Sequence, residues 1–306
     1  MIELGPPTPV PGVETAVTQT ARRRQQPAWR LMLRKPTFIV GALILLFWIF
    51  CAVFGATIAP HSPLAQQLLA VNAAPSRAHL FGTDQLGRDV LSRVLAGSRW
   101  ILLIAAGATV LGTLLGTALG LLMGYLGGVL DILVGRVVEA VLALPIVIVA
   151  FLFIVALGPS PPTLILVIGL VFTPLIARTV RAAVLVESQL DYLSSARLLG
   201  EKSGQIMFTE ILPNVVPVIL VEFTVRLGYA IFAVATLSFL GFGAVQPPTP
   251  DWGGDIAANY GVLPAGYWWE TLFPALAIAS LIVAVNLVTD AIREAMASAG
   301  NSVSHQ

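Results

Sequence analysis

Charge, cysteine and histidine are scarce in this chain, and each scarcity excludes something. Only 11% of the 306 residues are charged while 57% are apolar, too few polar groups for a globule surrounded by water. The net charge of +1 singles out no partner, and nucleic acid is not expected among them. Cys51 is the one cysteine, which excludes an intrachain disulfide framework and any multi-cysteine metal site; inside an apolar run it reads as a small packing residue. The three histidines, His61, His79 and His305, are scattered outside the apolar runs, no HExxH pair is present, and no metal site is expected. A glycine-rich phosphate loop ending in Lys and Ser or Thr is missing too, so the chain has no catalytic constellation and no cofactor of its own. Short alternating strands, which a membrane barrel needs, are also absent.

What remains is long apolar runs. Six reach the roughly 18–20 residues that cross a bilayer: Thr37 to Ala59, Ile101 to Tyr125, Val137 to Leu157, Thr163 to Val184, Val218 to Phe239 and Leu272 to Ala291. Lipid offers the backbone no hydrogen-bond partners, so each run satisfies its own amides as a helix. The expected fold is an all-α polytopic membrane protein with six transmembrane helices. Its parts are a disordered basic tail (1–36), a first span (37–59), a segment outside the membrane (60–100), a core of five spans (101–296) and a short tail (297–306). The first tail carries Arg22, Arg23, Arg24, Arg30, Arg34 and Lys35, and with six crossings it shares a side with the 125–136 turn, the 178–217 loop and the carboxyl end. That side holds twelve of the seventeen basic residues, which makes it cytoplasmic, as are both termini, in the plasma membrane. A cleaved signal peptide is a poor alternative, because the first apolar stretch is longer than a signal core.

The polar segment 178–217 is too long for a passive connector and reads as a folded surface that docks something. Leu193, Ala196, Leu199 and Gly200 recur at helical spacing, Asp191 suits a helix start, and Gly200 can end that helix with positive φ. Pro213 is expected to break the chain before the fifth span. Ser194-Ser195-Ala196, three residues, Gly200, then Ile211-Leu212-Pro213 resembles the coupling loop of ABC-transporter permease subunits, with Ser194 and Ser195 standing where that family has Glu and Ala. Further matches narrow the resemblance. Phe81 to Arg93 reads FGTDQLGRDVLSR, Leu237 to Gly243 reads LSFLGFG, and Gln246 to Gly253 reads QPPTPDWG. Together they are similar to the second permease subunit of dipeptide, oligopeptide and nickel importers, over about residues 30 to 296.

The resemblance implies a type I importer permease fold whose cytoplasmic coupling helix inserts into an ATPase subunit, with Ser194, Ser195, Ala196, Leu199, Gly200, Leu212 and Pro213 at that contact. It implies as partners a second homologous permease, two ATPase subunits holding ATP and Mg, and an extracytoplasmic solute-binding protein, besides the lipid bilayer. Asp84, Arg88, Asp89 and Trp252 are candidates for facing the binding protein, although capping and membrane anchoring explain these residue types at least as well. The expected cargo is a short peptide, with nickel chelates, haem or another peptide-like solute as alternatives.

Glu222 and Arg226 stand out within the fifth span. Spaced i to i+4, they can neutralise each other on one helix face, and they are candidates either for the translocation path or for tying two helices together. Glu222 is also the one acid that reads as clearly buried. That single carboxylate, with no three-plus-three repeat, makes an ion-coupled secondary transporter the weaker alternative. Gly107, Gly112, Gly116, Gly120 and Gly124 form a small-residue ridge on which a neighbouring helix can lie closely.

Overall fold

The computed structural model describes residues 35–143 and 146–301, and among these the regular elements are all helical. The basic residues from Arg22 to Arg34 and His305 lie outside the described residues. Five helices are long and apolar enough to cross a membrane. They are α1 (Pro36–Ile58), α2 (Val90–Leu126), α5 (Pro161–Glu187), α7 (Ser203–Phe242) and α9, which runs Trp269–Asn301 and so extends past the expected boundary at 296.

The third expected crossing departs from a single helix. It is shared between α3 (Gly128–Leu142) and α4 (Ile146–Leu157). At about 1.5 Å per residue α4 alone covers about 18 Å, short of the hydrocarbon thickness, so the crossing needs both pieces. Pro145 lies in the sequence between them and has no N–H to continue a helical ladder. The second helix begins at Val90, not near Ile101, because Asp89 caps it by accepting a hydrogen bond from the Ser92 N–H at 2.8 Å.

The fifth span corrects the expected break at Pro213. Helix α7 runs without interruption through the proline, preceded by a π-helical stretch at Ile206–Ile211. Widening the hydrogen-bond pattern by one residue lets the chain carry a residue that cannot donate, at the cost of a bulge in place of a break.

Packing centres on α2 and α5. The small-residue ridge is where they meet: a Cβ added at Gly116 would lie 2.7 Å from Ile176 Cβ and 2.9 Å from the Thr173 carbonyl oxygen. At Gly120 the corresponding neighbours are Val180 Cβ at 2.7 Å and the Ala177 oxygen at 2.9 Å. Backbone, not a movable side-chain tip, faces both glycines, so the helices are held at a separation only glycine allows. Gly116→Val is expected to cost about 1–3 kcal/mol or more by overpacking, read as a lower Tm in detergent. At Gly107 the nearest atom is the flexible end of Ile165, 3.0 Å away, and Gly107→Ala should leave Tm nearly unchanged. Helix α1 packs through Gly41, Trp48, Cys51 and Gly55 and leaves its other faces exposed, as suits a helix at the lipid boundary.

Candidate functional site

At one end of the bundle the segment after α5 folds into α6 (Asp191–Leu198). Gly200 ends it at φ +82°, and the Glu201 N–H reaches back to the Ala196 oxygen at 3.3 Å, the backbone closure of a left-handed helix stop. This stop divides the apolar face expected of the loop. Leu193 and Ala196 turn inward and are buried, whereas Leu199 is 81% exposed. Leu198, which periodicity did not single out, is 89% exposed beside it. Ser194, Ser195 and Pro213 are exposed and Leu212 is half-buried, so the seven residues expected at a contact do not form one continuous surface. The outward tip is Leu198-Leu199-Gly200.

A polar cluster fastens α6 to the bundle. The Asn214 amide donates to Glu187 Oε1 and to the Tyr192 hydroxyl, each at 2.8 Å, and the hydroxyl in turn donates to Glu187 Oε1. Burial, reinforced by the Glu187 carboxylate, pushes the Tyr192 hydroxyl up to about 12. It therefore stays a neutral donor at physiological pH. This junction ties the ends of three helices, α5, α6 and α7.

At the opposite end, residues 60–89 and 243–268 form a collar. Asp84 accepts from the Leu86 and Arg88 N–H groups, each at 2.9 Å, and from Arg88 Nε at 2.7 Å. Asp89 caps α2 with one carboxylate oxygen and meets His79 Nδ1 with the other at 2.9 Å. Trp252 opens α8 (Trp252–Asn259), donates its indole N–H to the Val94 oxygen at 2.8 Å, and packs edge-on against Trp48 with ring centroids 4.8 Å apart. All four candidates for an outward face are thus buried, and Asp84, Asp89 and Trp252 use their polar atoms within the chain while Arg88 engages Asp84 through Nε. They build the collar's frame, and the membrane anchoring expected of Trp252 is corrected: its buried ring fills a gap between α1, α2 and α8 and has no face left for lipid.

The strongest tie in the collar went unread in the sequence. Arg93 Nε lies 3.1 and 3.2 Å from the two Asp255 oxygens, and its other nitrogens donate to Asp255 and to the Pro63 and Pro248 carbonyls at 3.1 and 3.0 Å. One guanidinium therefore holds α2, α8 and two connecting loops. The expectation that Glu222 is the one clearly buried acid is corrected as well, since Asp84, Asp89, Asp255 and Glu270 are all less exposed than Glu222.

Asp251 caps α8 through the Gly253 N–H, and burial raises its carboxyl above the ordinary aspartate value, a shift that bonds from Ser238 and the backbone only partly offset. A raised folded-state value means stability is fully present below the unfolded value and falls as pH rises through the folded one. Asp251→Asn keeps the cap without the charge. It should raise Tm at pH 8, with the gain shrinking toward about pH 4, as a Tm-against-pH series would show.

Glu222 and Arg226 meet on α7, Arg226 Nε donating to Glu222 Oε1 at 2.8 Å. Both belong to one helix, so the pair does not tie two helices together. Arg226 also lies over the Tyr229 ring at 5.8 Å, beside a cavity of about 470 Å³ lined by Gly228, Tyr229 and Phe232 of α7 and by Asn286 and Asp290 of α9. The arrangement puts charge, an aromatic face and open volume along the same side of α7.

Residues 116–299 match the family described as "Binding-protein-dependent transport system inner membrane component", and residues 25–75 match the N-terminal TM domain of oligopeptide transport permease C. The chain is 40% identical over 277 residues to the dipeptide transport system permease protein DppC of Escherichia coli (strain K12), covering 89% of this chain and 92% of that protein. It is 36% identical over 273 residues to the dipeptide transport system permease protein DppC of Bacillus subtilis (strain 168), covering 89% and 84%. To the di/tripeptide transport system permease protein DppC of Pseudomonas aeruginosa (strain UCBPP-PA14) it is 35% identical over 274 residues, covering 88% and 90%.

Proposed function

The chain belongs to the family of binding-protein-dependent transport system inner membrane components and is a multi-pass permease subunit of an ABC importer, and from that premise we propose that its cargo is a dipeptide or short oligopeptide. Two cytoplasmic ATPase subunits, which bind ATP and Mg²⁺, drive it; a second homologous permease completes the membrane unit; and a solute-binding protein delivers the peptide to the collar end. Both termini and α6 then face the cytoplasm.

The observation that carries this reading is the tip of α6. Two adjacent leucines stand in solvent on a helix whose inner face is packed and whose start is fixed by Glu187, Tyr192 and Asn214. Apolar side chains held out in this way suit insertion into an apolar cleft on a partner. Because the cleft differs between open and closed ATPase states, its contact with α6 biases the bundle between two access states. Glu222, Arg226 and Tyr229 would line the path, where a zwitterionic peptide presents both charges.

The test is uptake of a labelled dipeptide into liposomes containing the complete importer. ATP-dependent accumulation that unlabelled dipeptide suppresses supports the reading. Accumulation driven by an ion gradient without ATP, or ATP-dependent uptake that no peptide competes for, overturns it.

A further inference from the structure

The two collar histidines, 18 residues apart in the chain, come together in the fold. The His61 and His79 rings lie tilted against each other, with centroids 4.7 Å apart and a 36° angle between planes. Asp89 Oδ1 lies 2.9 Å from His79 Nδ1 and 3.7 Å from His61 Nδ1, and donor atoms of all three residues fall within 4.8 Å of one another. A tetrahedral zinc ion with bonds of about 2.0–2.1 Å separates its donor atoms by about 3.3 Å. The two measured separations bracket that value.

The surroundings favour ligation. Asp89 Oδ2 is committed to the Ser92 N–H at 2.8 Å and the Ser92 hydroxyl at 2.6 Å, which fixes the carboxylate and leaves Oδ1 turned to both imidazoles. Ser92 Oγ also accepts from the His61 N–H at 3.1 Å, so the cap on α2 positions the backbone of one ligand as well as the carboxylate of another. His79 and Asp89 are buried. His61 Nδ1 is itself buried and has no hydrogen-bond partner. An imidazole nitrogen shielded from water, 3.7 Å from a carboxylate oxygen that a second imidazole also meets, is a candidate donor for an ion held between the three groups. Two imidazoles and one carboxylate are a donor set suited to a borderline-soft divalent ion, with room for water or a substrate donor as a fourth ligand.

We propose that His61, His79 and Asp89 form a binding site for a divalent first-row transition ion, Zn²⁺ foremost, at the collar end of the bundle. The ion joins the segment just after α1 to the loop before α2 and to the cap of α2 itself. Its effect is to lock the collar onto the two helices, and the site is separate from the coupling tip and from the cavity beside Arg226.

The experiment uses the full-length chain in its importer complex, purified through a tag free of histidine, stripped with EDTA and titrated with Zn²⁺ against a chromophoric chelator. Wild type should take up one more zinc per complex than His61→Ala, and in wild type alone Co²⁺ should give intense visible ligand-field bands. His61→Ala leaves the cap and the His79–Asp89 contact in place. His79→Gln, whose amide can still bond Asp89, serves as a second variant and should lower affinity by about 100-fold or more. Zinc at 100 times the wild-type Kd should raise the Tm of wild type by several degrees and that of either variant by no more than about one degree. Equal zinc uptake by wild type and both variants, or none by wild type, overturns the proposal.

Discussion

Replacing both Leu198 and Leu199 by Asp should abolish ATPase copurification with the chain while leaving its Tm within a degree or two of wild type. The two side chains are 89% and 81% exposed, so they contribute little to the fold of the isolated subunit. Buried in a partner's cleft, each leucine would contribute about 1.5–3 kcal/mol of apolar transfer. Losing both, at about 1.4 kcal/mol per tenfold, weakens the complex by about 100-fold or more. Placing two carboxylates in the cleft weakens it further, because each must be desolvated without a partner. Pull-down of ATPase and peptide uptake should fall together. Wild-type copurification by the double variant would show that the tip is not the contact and would move attention to Ser194 and Ser195.

The second large effect is expected at Arg93, and there the loss is of structure. Arg93 and Asp255 are 4% and 6% exposed. Arg93→Ala leaves a carboxylate buried without its counter-charge, a defect that costs about 3–5 kcal/mol and lowers Tm by on the order of 10 °C. The collar should become accessible to protease at residues 60–89 before the membrane helices unfold. Arg93→Lys keeps the charge but loses the fork that reaches Asp255 and two carbonyls at once, so it should fall between. The paired replacement Arg93→Met with Asp255→Leu should recover much of the lost stability, since removing both charges removes the desolvation cost along with the attraction. A double variant no better than Arg93→Ala would mean that the two carbonyl bonds, not the ion pair, hold the collar.

How much of this was legible beforehand follows the range over which each force acts. The apolar runs announced helices because lipid insertion depends on local composition, and Gly200 announced a helix stop because positive φ is a property of one residue. The resemblance carried by Ser194 to Pro213 led to α6, yet helical spacing chose Leu193 with Leu199 and passed over Leu198, since the stop at Gly200 rotates the last turn outward. The break expected at Pro213 became a π-turn because α7 gains more from continuous packing than it loses at one unpaired position. Two features had no local signal at all. Arg93 and Asp255 stand 162 residues apart, and His61 meets His79 only because the collar folds back over the start of α2. Asp84, Arg88, Asp89 and Trp252 stood as candidates for facing a binding protein, but the same residue types that make a docking surface also make a rigid frame, and in this chain all four are buried.

Helix α2 has 37 residues, a straight run of about 55 Å, and α5 is seated against it along a row of glycines. Seated this closely, the pair can move as one body. One end of α5 stops at Glu187, in the junction that grips α6, and the far end of α2 carries the Asp89 cap and Arg93. A tilt of about 5° over that length displaces the far end by about 5 Å, about the spacing of one helical turn. Under the proposed function, a small push delivered at the leucine tip would reach the collar as a movement of that size, at the end where the solute-binding protein would dock.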